Sequence, residues 1–193
     1  MRRGFAPWRD LPAVLWLLVV PVVAFLHPWV PEPRWLLLHA LLLGAATHSV
    51  VVWSQHFADA LLHTTSPQPA ALLATLNLGA VAVVAGTQTA RWPLTVVGAS
   101  AVAGAVAWHG IRLLRQLRRA LPARFSVVVR YYVAAAALLP VGATLGVLLA
   151  RGLDDPWHER LLLAHVTVNL LGWVGLSVAG TVTTLWPTML HTR

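Results

Sequence analysis

The sequence predicts an all-α fold, a polytopic six-helix transmembrane bundle, and three observations carry that prediction. Apolar residues make up 58% of the 193 residues and charged residues only 10%, against a charged share of roughly 25% in soluble domains. The apolar residues fall in runs of about 18 or more, long enough to cross a ~30 Å hydrocarbon core as helix. Proline, glycine and charge punctuate the runs. Together these exclude a cytosolic enzyme, a secreted disulfide scaffold and a disordered tail. No cysteine is present, which also excludes a structural disulfide, a thiolate metal site and a Cys-attached haem. Any metal would fall mainly to the nine histidines.

The six spans are expected at about 11–29, 35–53, 70–89, 92–111, 125–150 and 161–186, within one domain covering 1–193. Span one ends at His27-Pro28-Trp29, and Pro31-Glu32-Pro33-Arg34 forms the turn before span two. Ser66-Pro67-Gln68-Pro69 precedes span three, Arg91-Trp92-Pro93 opens span four, and Asp154-Asp155-Pro156 precedes span six. Each is turn chemistry, because proline cannot continue a helix and biases its predecessor away from one. Pro21 and Pro140 fall mid-span and are expected to kink their helices. Gly142-Ala-Thr-Leu-Gly146 in span five and the small residues of span six read as sites of close helix packing.

Arginine placement sets the orientation. The net charge of +8 comes from 14 basic residues, all arginine. Ten of them (Arg2, Arg3, Arg9, Arg112, Arg115, Arg118, Arg119, Arg124, Arg130 and Arg193) fall on one side of six crossings. Arg34, Arg91, Arg151 and Arg160 fall on the other. Basic residues near span ends are retained in the cytoplasm, so both termini are expected there, in a bacterial cytoplasmic (inner) membrane. No small-x-small cleavage site follows Met1-Arg2-Arg3-Gly4-Phe5, so span one reads as a retained helix rather than an export signal. Seven of the ten tryptophans (Trp8, Trp29, Trp35, Trp53, Trp92, Trp157 and Trp186) stand at span ends, where amphipathic rings favour the headgroup zone. In 112–119 the arginines share one helical face, which reads as an anchor for anionic headgroups rather than a nucleic-acid surface.

Ionisable groups inside spans are costly and therefore informative. None of the six carboxylates falls inside an expected span, which argues against an ion-coupled transporter. The spans hold His39, His48, His109 and His165 instead. Span two opens Trp35-Leu-Leu-Leu-His39, and span six opens Arg160-Leu-Leu-Leu-Ala-His165. Both run inward from the outer face, so each ring lies about one to one and a half turns below the surface. Two imidazoles at one depth on parallel helices could hold haem b or copper. His39 and His165 are thus the candidate cofactor and metal ligands, with His48 and His109 as secondary candidates. His39 and His48 are nine residues apart, about 180° around a helix, and cannot serve one ligand. His56 and His63, seven apart, would share a face at the cytoplasmic interface and read as a solvated surface. No catalytic residue can be named.

Span six, from Ala164-His165 through Gly172, Gly175 and Gly180 to Trp186-Pro187, resembles the haem-ligating helix of the haem-copper oxidase subunit I superfamily. That resemblance implies a haem-ligand position for His165, with Thr167 where the superfamily has a second histidine. Spans two and six together with Gln55-His-Phe-Ala-Asp-Ala-Leu61 resemble the N-terminal membrane portion of actinobacterial multicopper oxidases and copper nitrite reductase-like proteins. This implies a membrane electron-entry or anchoring module beside a cupredoxin-type oxidase part, with membrane quinol as electron source. Two expectations follow: a haem or copper redox module held by His39 and His165, or a metal-free anchor whose histidines only cross-link helices. Whether the chain is an enzyme and whether it forms an oligomer stay open at this level.

Orientation is directly testable. A cysteine placed at Arg115 should resist an impermeant thiol reagent in intact cells, while one at Asp154 should react. Labelling at position 115 from outside would reverse the assignment.

Overall fold

The computed structural model describes residues 7–121 and 126–189, and among them all regular structure is helical. Arg2, Arg3, Arg124, Phe125 and Arg193 lie outside the described residues. The helices are α1 (Pro7–Leu26), α2 (Pro33–His39), α3 (Thr47–Leu61), α4 (Ala70–Gln88), α5 (Trp92–Arg119), α6 (Ser126–Leu149), α7 (Trp157–Val166) and α8 (Leu176–Met189). A short 3-10 turn (His27–Trp29) follows α1. Two π-helical segments, Ala40–Ala46 and Thr167–Gly175, join α2 to α3 and α7 to α8 without a break. Six continuous helices are therefore long and apolar enough to cross a membrane: Trp8–Trp29, Pro33–Leu61, Ala70–Gln88, Trp92–Arg119, Ser126–Leu149 and Trp157–Thr183.

Spans three to six pack as neighbours in chain order, α4 on α5, α5 on α6, and α6 on the α7-to-α8 helix. Span two crosses the inner side of this arc, touching α4, α5, α6 and α8, and α1 packs on span two. The central core gathers Val51, Leu72, Leu76, Val102, Val106, Ala135, Leu139 and Trp173. A second cluster joins Ala58, Leu62, Leu113, Val128, Val129 and Tyr132. The first and last spans are the least covered, with outward leucines and valines such as Leu15, Leu18, Val22, Leu163 and Leu171.

Two boundaries differ from the sequence expectation, for one physical reason. Span two runs on as helix to Leu61, and span four runs through the arginine segment to Arg119. Hydropathy cuts span two short before the polar Gln55 and Asp59, and span four short at the arginine run that begins with Arg112 and contains Gln116. Gln55, Asp59 and Gln116 are buried, because they satisfy one another. Gln55 Nε2 donates to Asp59 Oδ1 (3.1 Å) and to Gln116 Oε1 (2.9 Å), and Gln116 Nε2 donates to Asp59 Oδ1 (2.9 Å). The backbone N–H of Ser66 adds a third donor to that carboxylate oxygen (3.0 Å). One carboxylate, Asp59, thus lies inside a helix of membrane-crossing length, contrary to the expectation that none does. His63 is also corrected: at φ 51° it stands in the turn after the helix and does not share a helical face with His56. Arg115, Arg118 and Arg119 are exposed as expected of an anchor face, while Leu113 and Gln116 on the other side of α5 are buried.

Helices α4 and α5 approach closely. A Cβ on Gly98 would stand 2.5 Å from the Val83 nitrogen and 2.7 Å from the Gly79 carbonyl oxygen, and one on Gly86 2.5 Å from the Thr95 nitrogen. These neighbours are backbone and cannot turn aside. Gly98→Leu is therefore expected to lower stability by about 1–3 kcal/mol or more through forced separation of the pair. Gly104→Leu, where an added Cβ meets nothing within 4 Å, is the control in a thermal unfolding series.

Candidate functional site

The two histidines singled out by their depth come together. The rings of His39 and His165 lie with centroids 6.3 Å apart and planes 22° from parallel. Each is fixed by a main-chain carbonyl. His39 Nδ1 is 2.8 Å from the Trp35 carbonyl oxygen one turn earlier, and His165 Nδ1 is 2.9 Å from the Gly142 carbonyl oxygen of α6. A carbonyl can only accept, so in both neutral rings Nδ1 carries the proton and Nε2 keeps the lone pair. Neither Nε2 has a hydrogen-bond partner among the described residues. This is the arrangement in which a metal-ligating histidine is oriented by its other nitrogen. The Trp35 indole stacks on the His39 ring at 4.0 Å, so this span-end tryptophan also braces a ligand candidate.

The glycines of α6 make the cradle for His165. A Cβ at Gly146 would stand 2.9 Å from His165 Cε1 and 3.3 Å from its Nδ1, and one at Gly142 would collide with the Asn169 amide. Residues four apart on α6 thus receive residues four apart on the last span. The GxxxG pattern admits two polar side chains here, where the sequence suggested only close helix packing. Asn169 Nδ2 donates to the His165 carbonyl oxygen (2.9 Å) and lies 3.2 Å from His165 Nδ1. Its position is not distinguishable by hydropathy or charge, and only the one-turn offset from His165 could have marked it.

Both histidines stand at the start of a π segment. The first begins at Ala40, directly after His39, and the second at Thr167, two residues after His165. A π turn widens the helix, and such insertions are frequent at functional sites. The segments are tied together: Trp173 Nε1 donates to Thr47 Oγ1 (3.1 Å), and Thr47 Oγ1 donates to the Leu42 carbonyl oxygen (2.8 Å) within the first π segment. Thr47 and Trp173 are 126 residues apart, as are His39 and His165. The spans run parallel and in register, and the two contacts are eight residues apart on each.

The other histidines are spoken for differently. His48 faces α1 and α4: its Nε2 is 2.7 Å from the Arg9 carbonyl oxygen, and its Nδ1 accepts from Asn77 Nδ2 (2.9 Å). Both ring nitrogens are thus engaged, away from His39, and Asn77 Oδ1 in turn accepts from Trp16 Nε1 (3.1 Å). His109 is buried with Nε2 2.8 Å from Ser54 Oγ, and its Nδ1 has no partner. His56 packs edge-on to Trp53. Neither His48 nor His109 stands beside the His39–His165 pair. No group of three or more His, Cys, Asp or Glu side chains able to hold a metal occurs among the described residues.

No protein-family model, curated protein sequence or solved structure matches this chain.

The cradle makes its own prediction. Gly146→Ala should displace the His165 ring from the Gly142 carbonyl, and imidazole 15N spectra of labelled protein should lose the Nδ1-protonated signature of that residue. Gly104→Ala should leave the spectrum unchanged. An unchanged His165 signal in Gly146→Ala would contradict the geometry.

Proposed function

We propose that this is a multi-pass membrane protein of a bacterial cytoplasmic membrane, with both termini inside, whose His39 and His165 hold one redox-active haem or metal near the outer face. The observation that carries the reading is the pair itself: two near-parallel imidazoles, each with Nδ1 on a carbonyl and Nε2 unpartnered. The two rings stand with centroids 6.3 Å apart, and imidazole nitrogen suits both iron and copper. The donor set favours haem over a bare copper ion. Haem iron would need only these two imidazoles from the protein, whereas copper held by side chains alone would need a third ligand nearby.

Bound there, the group would supply one-electron transfer. The chain's own part is to fix both rings in one tautomer, through Trp35 and Gly142. The six apolar helices and the ten-to-four arginine asymmetry support the membrane placement. Exchange of electrons with membrane quinol and an outer cupredoxin-type oxidase part belongs to the same proposal, and rests on the resemblance of spans two and six.

A second reading draws on the bond from His165 to Gly142, which already cross-links the last span to α6: a metal-free anchor whose histidines only brace the bundle. Visible spectra separate the two. Protein purified in detergent after expression with iron and copper should show a sharp reduced α-band. His165→Ala should abolish it, and replacing His56 and His63 by Gln should leave it intact. Colourless protein without stoichiometric iron or copper, losing only about 0.6–2 kcal/mol on either histidine substitution, would leave the anchor reading standing.

A further inference from the structure

A chain of polar contacts joins the first helix to the bundle, and every proton in it has one place. His48 is 1% exposed. Its Nε2 lies 2.7 Å from the Arg9 carbonyl oxygen of α1, and its Nδ1 lies 2.9 Å from Asn77 Nδ2 of α4. Asn77 Nδ2 also donates to the Leu73 carbonyl oxygen (2.7 Å), and Asn77 Oδ1 accepts from the Trp16 indole of α1 (3.1 Å). The Trp16 ring in turn lies on Gly44, where an added Cβ would collide with it. Gly44 belongs to the π segment that begins directly after His39.

Two of these groups cannot change role. A carbonyl only accepts and an indole N–H only donates, so Leu73 and Trp16 together fix which end of the Asn77 amide is which. The amide then presents an N–H to His48 Nδ1, which has to keep its lone pair, and the Arg9 carbonyl requires the proton on Nε2. His48 is therefore neutral and in one tautomer whenever the chain of bonds is whole. A second proton has no place. On Nδ1 it would meet the Asn77 N–H, and turning the amide over would set two donors together at Trp16 and two acceptors together at Leu73. A buried polar mismatch costs more than the bond it replaces returns. What gives way is the seat of Trp16, because α1 is thinly held: of its described side chains only Ala13 and Val23 are buried. The charged groups that face His48 are Arg9 and Asp10 of α1. Helix α4 carries no ionisable side chain, and the next one along α3, His56, is about two turns away.

We propose that His48, Asn77 and Trp16 form a proton-operated latch for α1. While the imidazole is neutral, α1 stays seated on Gly44; when the ring takes a second proton from solvent, the seat of Trp16 breaks and α1 loosens from the π segment. Acidity is thereby coupled to the helix that carries His39. The latch goes beyond the proposed redox function and needs no bound cofactor, so neither outcome at the histidine pair decides it.

The chain has no cysteine, so single introduced thiols report on α1. Ala13→Cys lies on its buried face, and Val14→Cys beside it is exposed. Maleimide labelling rates of the two are compared in the full chain in detergent from about pH 8 to about pH 5, and their ratio removes the pH dependence of the thiol itself. The ratio is expected to rise about ten-fold on acidification. His48→Gln cannot titrate, so its ratio should stay flat at whatever level it starts. Asp10→Asn should keep the rise. Imidazole 15N spectra of the unaltered protein give a second readout: His48 should be protonated at Nε2 alone at about pH 8 and at both nitrogens where the ratio has risen. A flat ratio overturns the proposal, as does an Nδ1-protonated neutral ring. A rise that persists in His48→Gln or vanishes in Asp10→Asn assigns the titration to another group and overturns it equally.

Discussion

A hydrogen bond from the Trp173 indole in the second π segment to the hydroxyl of Thr47, the residue directly after the first, joins spans two and six in the middle of the molecule. Both side chains are buried, and Trp173 belongs to the central core with Val51, Leu72, Val106 and Leu139. In an apolar interior an unpaired indole N–H or hydroxyl is expensive, so this contact fixes spans two and six in register as well as in distance. The hydroxyl is itself committed to the Leu42 carbonyl, inside the stretch where the helix is widened. Register at Thr47 carries through the π turns to His39. Register at Trp173 carries through the second set to His165.

Much of this was legible in the chain. The six helices follow from apolar run length, and their turns from proline. The pairing of His39 with His165 follows from depth alone, because helix rise converts sequence position to height when two helices are parallel. Depth does not give azimuth, and the π segments change azimuth. No propensity marks Ala40–Ala46 or Thr167–Gly175 as anything but ordinary helix. The cradle at Gly142 and Gly146 was visible as small residues, but what fills it is a property of the opposite helix. Asp59 lies deeper than hydropathy places it for a related reason: one segment's hydropathy treats a carboxylate as exposed, whereas donors to its Oδ1 come from Gln55, Gln116 and Ser66, up to 57 residues away.

The two ends of span two illustrate different ways of keeping polar groups inside an apolar bundle. At the histidine end, main-chain carbonyls accept from Nδ1 and leave the second nitrogen of each ring without a partner. At the other end, two amides share one carboxylate oxygen and leave a carbonyl oxygen without one. In both places a lone pair is held in a fixed direction by neighbours, some one turn away on the same helix, as Trp35 is for His39 and Asp59 for Gln55, and some on another helix, as Gly142 is for His165 and Gln116 for Gln55.

The separation of 126 residues between Thr47 and Trp173 also bears on the order of assembly. The α4–α5 pair needs only the short Thr89–Arg91 connection to close, so it can form as soon as both helices exist. The contact between spans two and six cannot form until the last helix has been synthesised. During translation the partners of His39 and Thr47 are simply not yet made. The His39–His165 pair is therefore completed only in a chain whose first five long helices have already been made.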